Sequence, residues 1–512
     1  MNSLSLNNLL TAIYDPLNTI YIKSGGEITS QGDPGIIGII PPIAPGNFGS
    51  KTFRKEFNLR YAYVGGAMVG GISSVAMVQA LSNLELLGIF GASGLAPEIV
   101  EESVVQLKNS LAIERHFGSC LIHSPHDPQL EERLIDIYLT HGVNLIEASA
   151  FLQITPNLVR YRVQGLTELP DGSIMAPNRV MAKVSRLELA KRFFSPPPAK
   201  IVNALLESGA ISRDEANLSQ YIPMAQDLTA EADSGGHTDF RPANILWPSM
   251  IALAEEYTRK YDYLHPIRVG VAGGLGSPQA FLAALDLGCS YFVTGSINQS
   301  CVESGLSAPA RELLAKASQT DVTPAPAADM FEMGARVQVL KYGTLFAPRA
   351  NRLAELYRQY DSVDEIPPKE RESLEQKIFH KPLEEIWSET QSFFSQRDPA
   401  QLKKAENPKY KMALIFRWYL GQASRWAING LTERQTDWCI FAGPAIGAFN
   451  EWTQGSYYED PMNRRVGDVA LNLLYGLAVL KRFSLARDLG LVPDELPLPL
   501  KPLAPEELAE FI

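Results

Sequence analysis

The sequence predicts a (β/α)8 barrel joined to a largely helical region. Three features predict it. Short apolar, β-branched runs alternate with helical spacing eight times, the first near residue 60 and the eighth near residue 290. Several of these runs end in glycine-rich turns. After Ser296 the alternation stops and helical spacing takes over. Strands buried on both faces of a parallel sheet read as continuous apolar runs. Eight units of this length favour a closed barrel over an open doubly wound sheet.

Taken in order, residues 1–59 form a lead-in with a strand at Thr19–Lys23 and Gly- and Pro-rich connections. The barrel spans 60–305. Its first strand, Arg60–Val64, runs into GGAMVGG, with helical spacing over Ser73–Leu81. Leu86–Phe90 ends in GASG and precedes the helix Pro97–Leu111. Phe117–Ile122 leads to His123-Ser124-Pro125-His126 and the helix Gln129–Thr140. Val143–Glu147 leads to Ala148–Phe151 and the helix Thr155–Gln164. Val180–Val184 carries Lys183 and is followed by the helix Arg186–Phe193, with a connecting helix between Pro196 and Gly209. Leu228–Ala232 ends in DSGGH before the helix Ile245–Lys260. Ile267–Ala272 ends in Gly273, Gly274 and Gly276, and Phe281–Leu287 is helical. Tyr291–Val293 ends in Thr294-Gly295-Ser296. Residues 306–350 read as a connecting segment, with a helix at Ala310–Ala317, a loop over TDVTPAPAAD and a helix at Met330–Leu340. Residues 351–485 read as a helical domain, with helices at Asn351–Tyr360, Leu374–Phe394, Lys411–Ile428 and Val466–Phe483. A Pro-rich, extended tail covers 486–512.

Composition narrows the function. A formal net charge of −11 argues against nucleic acid, whose phosphates reward a basic face. The four cysteines lie far apart without CxxC spacing, so neither a metal site nor a disulfide framework is expected. No apolar run approaches the roughly 20 residues that span a bilayer, and the first residues lack the pattern of a signal peptide. A cytoplasmic protein without membrane contact is the expectation. No nucleophile elbow, HExxH or Walker loop is present.

The chemistry gathers at strand ends. Gly273, Gly274 and Gly276 precede Ser277-Pro278 in helix-start positions, and Thr294-Gly295-Ser296 ends the next strand. Two loops of bare amides and hydroxyls suit a phosphate, and the loops after strands 7 and 8 of such barrels are its usual seat. Gly66, Ala67 and Met68 would let backbone approach a flat ligand closely. His237, after Gly235-Gly236, would reach the barrel mouth as a donor near neutral pH. Lys183, within an apolar strand, needs an anion, a carbonyl or an electron-rich ring edge, or else Glu231 or Asp233 on neighbouring strand ends. Glu147, Ser149, His123 and His126 share the strand-end position. Lys403, Lys404, Lys409, Lys411 and Arg417 form the clearest basic stretch.

The segments VGGAMVGGISS (64–74), LIHSPHDPQLE (121–131), VMAKVSR (180–186), EADSGGHTDFRP (231–242), VAGGLGSP (271–278) and FVTGSINQSCVESG (292–305) together resemble the PfaD-like family. These are stand-alone enoyl reductases of polyunsaturated fatty acid and trans-acyltransferase polyketide synthases. TPAPAADMFEMGARVQVLKYGTLFAPRANRLAELY (323–357) and GPAIGAFNEW (443–452) extend the resemblance over nearly the whole chain. It implies an FMN-binding barrel that reduces the α,β-double bond of an acyl thioester on an acyl carrier protein, with NADPH as hydride source. It would place Gly273, Gly274, Gly276, Thr294, Gly295 and Ser296 on the FMN phosphate. Gly66, Ala67, Met68, Gly235 and Gly236 would lie along the flavin, and Lys183 at its pyrimidine edge. His237 would act beside the substrate, with water or Lys183 as competing proton donors, and His123, Glu147 and Ser149 would contact substrate. Cys120 stands where relatives commonly have a flavin-bonding asparagine. The carrier is expected on Lys403–Arg425, and a homodimer is left open. Competing readings are an FMN oxidase of the nitronate monooxygenase type and a non-catalytic carrier-binding partner.

Overall fold

Eight short strands close into a barrel in the computed structural model, which describes residues 3–24, 27–29, 31–112, 117–123, 127–493 and 496–512. They are β1 (Tyr63–Gly65), β2 (Leu87–Phe90), β3 (Phe117–Ile122), β4 (Leu145–Ser149), β5 (Arg179–Val184), β6 (Asp227–Glu231), β7 (Arg268–Ala272) and β8 (Phe292–Thr294). Each pairs in parallel with its neighbours in sequence, and β8 pairs with β1 to close the ring. The expected barrel is therefore present. Its helices begin where capping residues dictate. Ser74, Asp127 and Thr155 each accept a backbone N–H of the first turn, and proline opens the helices Pro128–Thr140 and Pro156–Val163.

One stretch departs from the sequence reading. The TDVTPAPAAD loop and the Met330–Leu340 helix are instead two antiparallel strands, Val322–Pro326 and Arg336–Leu340, joined through a 3-10 turn at Phe331–Met333. Arg336–Leu340 also pairs with Gly236–His237, matching Gly236 with Gln338 and His237 with Val337. RVQVL is β-branched and alternating, and Val322–Pro326 tolerates two prolines because it is an edge strand.

The barrel core continues into residues 440–486, while residues 325–439 enclose a second core. The helix Val466–Asp488 corrects the reading that no apolar run is long enough to span a bilayer. It is long and apolar enough by length and composition, but 83% of its most apolar window is buried inside the protein. Its Arg482, fully buried, donates to the carbonyls of Ala12, Asn18 and Pro41 and so ties the lead-in to the barrel. At the N-terminal ends of the strands, Arg268 makes a two-pronged pair with Asp227 at 2.7 and 2.8 Å. Glu56 bridges Arg268 and Arg179 there at 2.6 and 2.5 Å.

Candidate active site

A cavity of about 510 Å³ opens at the C-terminal ends of the strands. The glycines of three separate loops shape it. After β1, residues 66–70 fold back over β2, and a Cβ at Gly91 would stand 1.9 Å from the Met68 carbonyl oxygen. That approach seats Gly66, Ala67 and Met68 on the cavity wall. After β7, Gly273 and Gly274 take φ of +87° and +77°, the left-handed region that favours glycine. After β8, Gly295 and Ser296 line the cavity, and the Ser296 hydroxyl accepts the Gly443 N–H at 2.9 Å. A Cβ at Gly236, Gly274 or Gly295 would meet no protein atom within 4 Å, so the space beside each stays open.

Thr294 lines the cavity too, but its hydroxyl is engaged inward, 2.6 Å from the Tyr63 hydroxyl and 3.1 Å from Asn298 Oδ1. Gly276 does not reach the cavity. Its Cβ would sit 2.2 Å from the Ala445 carbonyl oxygen, so its missing side chain lets the helix Ala445–Thr453 pack close. Gly235 lines the cavity and lies against residue 442, where a Cβ would come within 2.8–3.0 Å of backbone.

Lys183 projects from β5 into the cavity floor, its Nζ 3.3 Å from Glu147 Oε1 and 3.6 Å from Glu231 Oε1. Of the two pairings expected from sequence, Glu231 is made; Asp233 instead accepts the Gln338 amide at 2.5 Å. Burial works against the Lys183 ammonium, yet Glu147 and Glu231 outweigh it and hold its pKa above the ordinary lysine value. Burial also raises Glu231, with Lys183 opposing. Glu147 is fully buried beneath Lys183, off the cavity wall, with Oε2 lacking a hydrogen-bond partner among the described residues. Ser149 lines the cavity, its hydroxyl 3.4 Å from Glu147 Oε1.

His237 lines the cavity with its Nε2 3.1 Å from Asp329 Oδ1. Burial disfavours the charged ring, but the Asp329 bond and charge, with Glu231, raise its pKa above the usual imidazole value. The same bond holds Asp329 below the usual carboxylate range against burial.

The remaining sequence candidates sit elsewhere. Cys120 is buried behind the wall; its thiol accepts the Ser93 N–H at 3.3 Å and lies 3.0 Å from the Ser93 hydroxyl. Burial raises the thiol pKa. His123 is buried with its Nδ1 3.4 Å from Glu131 and its ring stacked on Phe151. His126 lies outside the described residues. In the basic stretch, Lys409 donates to the carbonyls of Tyr357 and Tyr360 and pairs with Asp361 at 3.3 Å. Lys411 sits over the Trp387 ring and Arg417 pairs with Glu332 at 2.7 Å. These three are half-buried and engaged within the protein, while Lys403 and Lys404 are exposed.

Sequence reasoning missed Asp329, Gln338, Gln299 and Ser234. The last two line the cavity, and Gln299 Oε1 is buried without a hydrogen-bond partner among the described residues. A β-alternation over 336–340 was the available signal for Gln338. Asp329 carried none, because only the strand pairing of 236–237 with 336–340 brings it to His237.

Residues 360–438 match the family model of the [acyl-carrier-protein] S-malonyltransferase inserted helical domain. The chain is 40% identical over 95% of its length to a polyunsaturated fatty acid synthase polypeptide of Thraustochytrium sp., covering 33% of that protein. It is 43% identical over 86% of its length to the polyketide biosynthesis protein PksE of Bacillus subtilis, covering 57% of it. It thus spans from a third to somewhat over half of these curated relatives. Among solved structures, the enoyl reductase domain of MlnA from the macrolactin biosynthesis cluster of Bacillus amyloliquefaciens superposes with a TM-score of 0.83 at 36% identity. That alignment covers 87% of this chain and all of the domain.

Proposed function

Because the chain belongs to the PfaD-like enoyl reductase family, we propose that it is a trans-acting enoyl reductase, reducing the α,β-double bond of acyl thioesters carried by acyl carrier proteins in polyketide or polyunsaturated fatty acid assembly. NADPH is the proposed hydride source and FMN the proposed cofactor. The observation that carries the reading is the match of 87% of the chain to the whole of an enoyl reductase domain, in a chain where three glycine loops, Lys183 and His237 meet in one cavity.

The residues present fit FMN. Open space beside Gly274 and Gly295 leaves room for a phosphate on backbone amides, and the unpartnered Gln299 Oε1 suits a polar ring. Gly273, Gly274, Gly295 and Ser296 would hold the phosphate, Gly66–Met68 the ring face and Lys183 an electron-rich ring edge. FMN, when bound, supplies reversible hydride transfer. The chain supplies position and protons. As the β-carbon of the enoyl thioester gains hydride, charge grows toward the thioester oxygen and a proton is needed at the α-carbon. With Nε2 of His237 directed at Asp329, Nδ1 is the nitrogen that would give that hydrogen bond or proton. Lys183, between two carboxylates, is the weaker donor because its neighbours hold its proton tightly.

The first test is an anaerobic absorbance titration of the flavin-loaded protein with NADPH, followed by a 2-enoyl thioester. Bleaching by NADPH and recovery on adding the thioester are expected; a spectrum indifferent to both overturns the reading. Exposed Lys403 and Lys404 on the helical region are the proposed carrier contact. Lys403→Glu/Lys404→Glu should lower turnover of carrier-bound substrate about tenfold more than turnover of pantetheine-bound substrate. Equal effects would remove the carrier from this surface.

A further inference from the structure

A second cavity of about 280 Å³ lies beside the first, between the end of β3 and the helical region. Ile122 and Met330 line both cavities and so belong to the wall they share. Asp329, the partner of His237, also faces the second cavity. The second cavity thus adjoins the place where His237 would act.

Most of its polar side chains among the described residues are already engaged by the protein. His123 pairs with Glu131 at 3.4 Å, Arg417 with Glu332 at 2.7 Å and Asp329 with His237 at 3.1 Å. Asp127 and Asp398 cap the helices behind them, and Gln401 accepts the Tyr410 hydroxyl. Arg397 lies over the Phe393 ring at 5.6 Å. What remains for a guest is the apolar surface of Ile122, Leu130, Met330, Phe393 and Phe394. Such apolar surface rewards hydrocarbon.

We propose that this second cavity receives the distal hydrocarbon tail of the acyl thioester, which passes between Ile122 and Met330 once its double bond lies by His237. The proposal rests on the enoyl-reductase reading. It assigns to the helical region a share of chain-length selection, because Phe393 and Phe394 belong to that region and Leu130 to the barrel. Each methylene fully buried is worth about a threefold to fourfold gain in binding.

The test compares saturated butyryl and dodecanoyl pantetheine thioesters by calorimetry, with kcat/KM for the matching 2-enoyl thioesters as a second readout. Wild type is expected to bind the C12 compound at least tenfold more tightly than the C4 compound. Leu130→Trp and Phe394→Trp fill the cavity from opposite walls, and each should lower the C12-to-C4 ratio at least fivefold in both readouts. A wild-type preference below tenfold, or a ratio unchanged in both folded variants, overturns the subsite. Equal losses for C4 and C12 overturn it as well and make the cavity a common entry route. If the flavin-loaded wild type reduces neither enoyl thioester, the enoyl-reductase reading itself fails, and the tail subsite with it.

Discussion

His237, the proposed donor, is oriented by Asp329. A half-exposed imidazole on a two-residue strand has no fixed orientation of its own; the 3.1 Å contact with a carboxylate on another loop supplies one. Burial would push the ring toward neutrality, but Asp329 and Glu231 reverse that and keep the imidazolium to higher pH. The sign follows directly. Activity that needs a protonated donor is lost as pH rises through the raised pKa, and Asp329→Asn, which keeps the shape and removes the charge, moves that alkaline limb of kcat/KM to lower pH. His237→Gln should cost about 10²-fold in kcat/KM and abolish the limb. An Asp329→Asn profile superimposable on wild type would show that Asp329 does not tune the ring. The same pairing adds stability that fades as pH rises through the raised imidazole pKa and is lost again as pH falls through the lowered Asp329 pKa.

At the scale of elements, the site depends on loops from distant parts of the chain lying backbone against backbone. The β6 loop presses on residues 441–443, where a Cβ on Gly235 would come within 2.8 Å of the Ala442 backbone and one on Gly443 within 2.8 Å of Ser234. Gly235→Ala must therefore part the two loops. The expected outcome is a loss of about 1–3 kcal/mol in unfolding free energy, with retention of the proposed FMN falling more steeply than Tm. Retention and Tm equal to wild type would show that the contact is slack. This packing also explains what the sequence made legible. Gly66, Gly235, Gly273, Gly274 and Gly295 announce themselves because each strand-to-loop step is local, and Lys183 stands out as one charge in an apolar run. Asp329 and Gln338 stay hidden because they reach the site through a three-stranded sheet assembled from segments about a hundred residues apart. Gly276 reads like its neighbours in sequence, yet its glycine serves a helix arriving from residue 445.

For the whole molecule, the two ends of the barrel divide the work, since active sites of such barrels lie at the C-terminal face and stability is guarded at the other. The cavity and its loops hold the first end, and the Glu56–Arg179–Arg268–Asp227 cluster closes the second. Arg268 and Asp227 begin adjacent strands in register, and both are buried. The helix Lys51–Glu56 contributes Glu56 from the lead-in, so the cluster also fastens that segment beneath the barrel. Breaking such a pair is costly because it strands a buried charge, whereas replacing both partners by apolar groups is nearly neutral. Asp227→Ala should thus lower the unfolding free energy by about 3–5 kcal/mol. Asp227→Leu/Arg268→Met should recover most of that loss. At 25 °C, well below either melting transition, kcat/KM is expected to stay within about twofold of wild type for both variants, because neither residue lines the cavity. Thermal unfolding followed beside activity decides the matter. If Asp227→Ala unfolds like wild type, the cluster does not hold the barrel closed. If its activity collapses while it remains folded, the two ends are coupled and the division of labour is wrong.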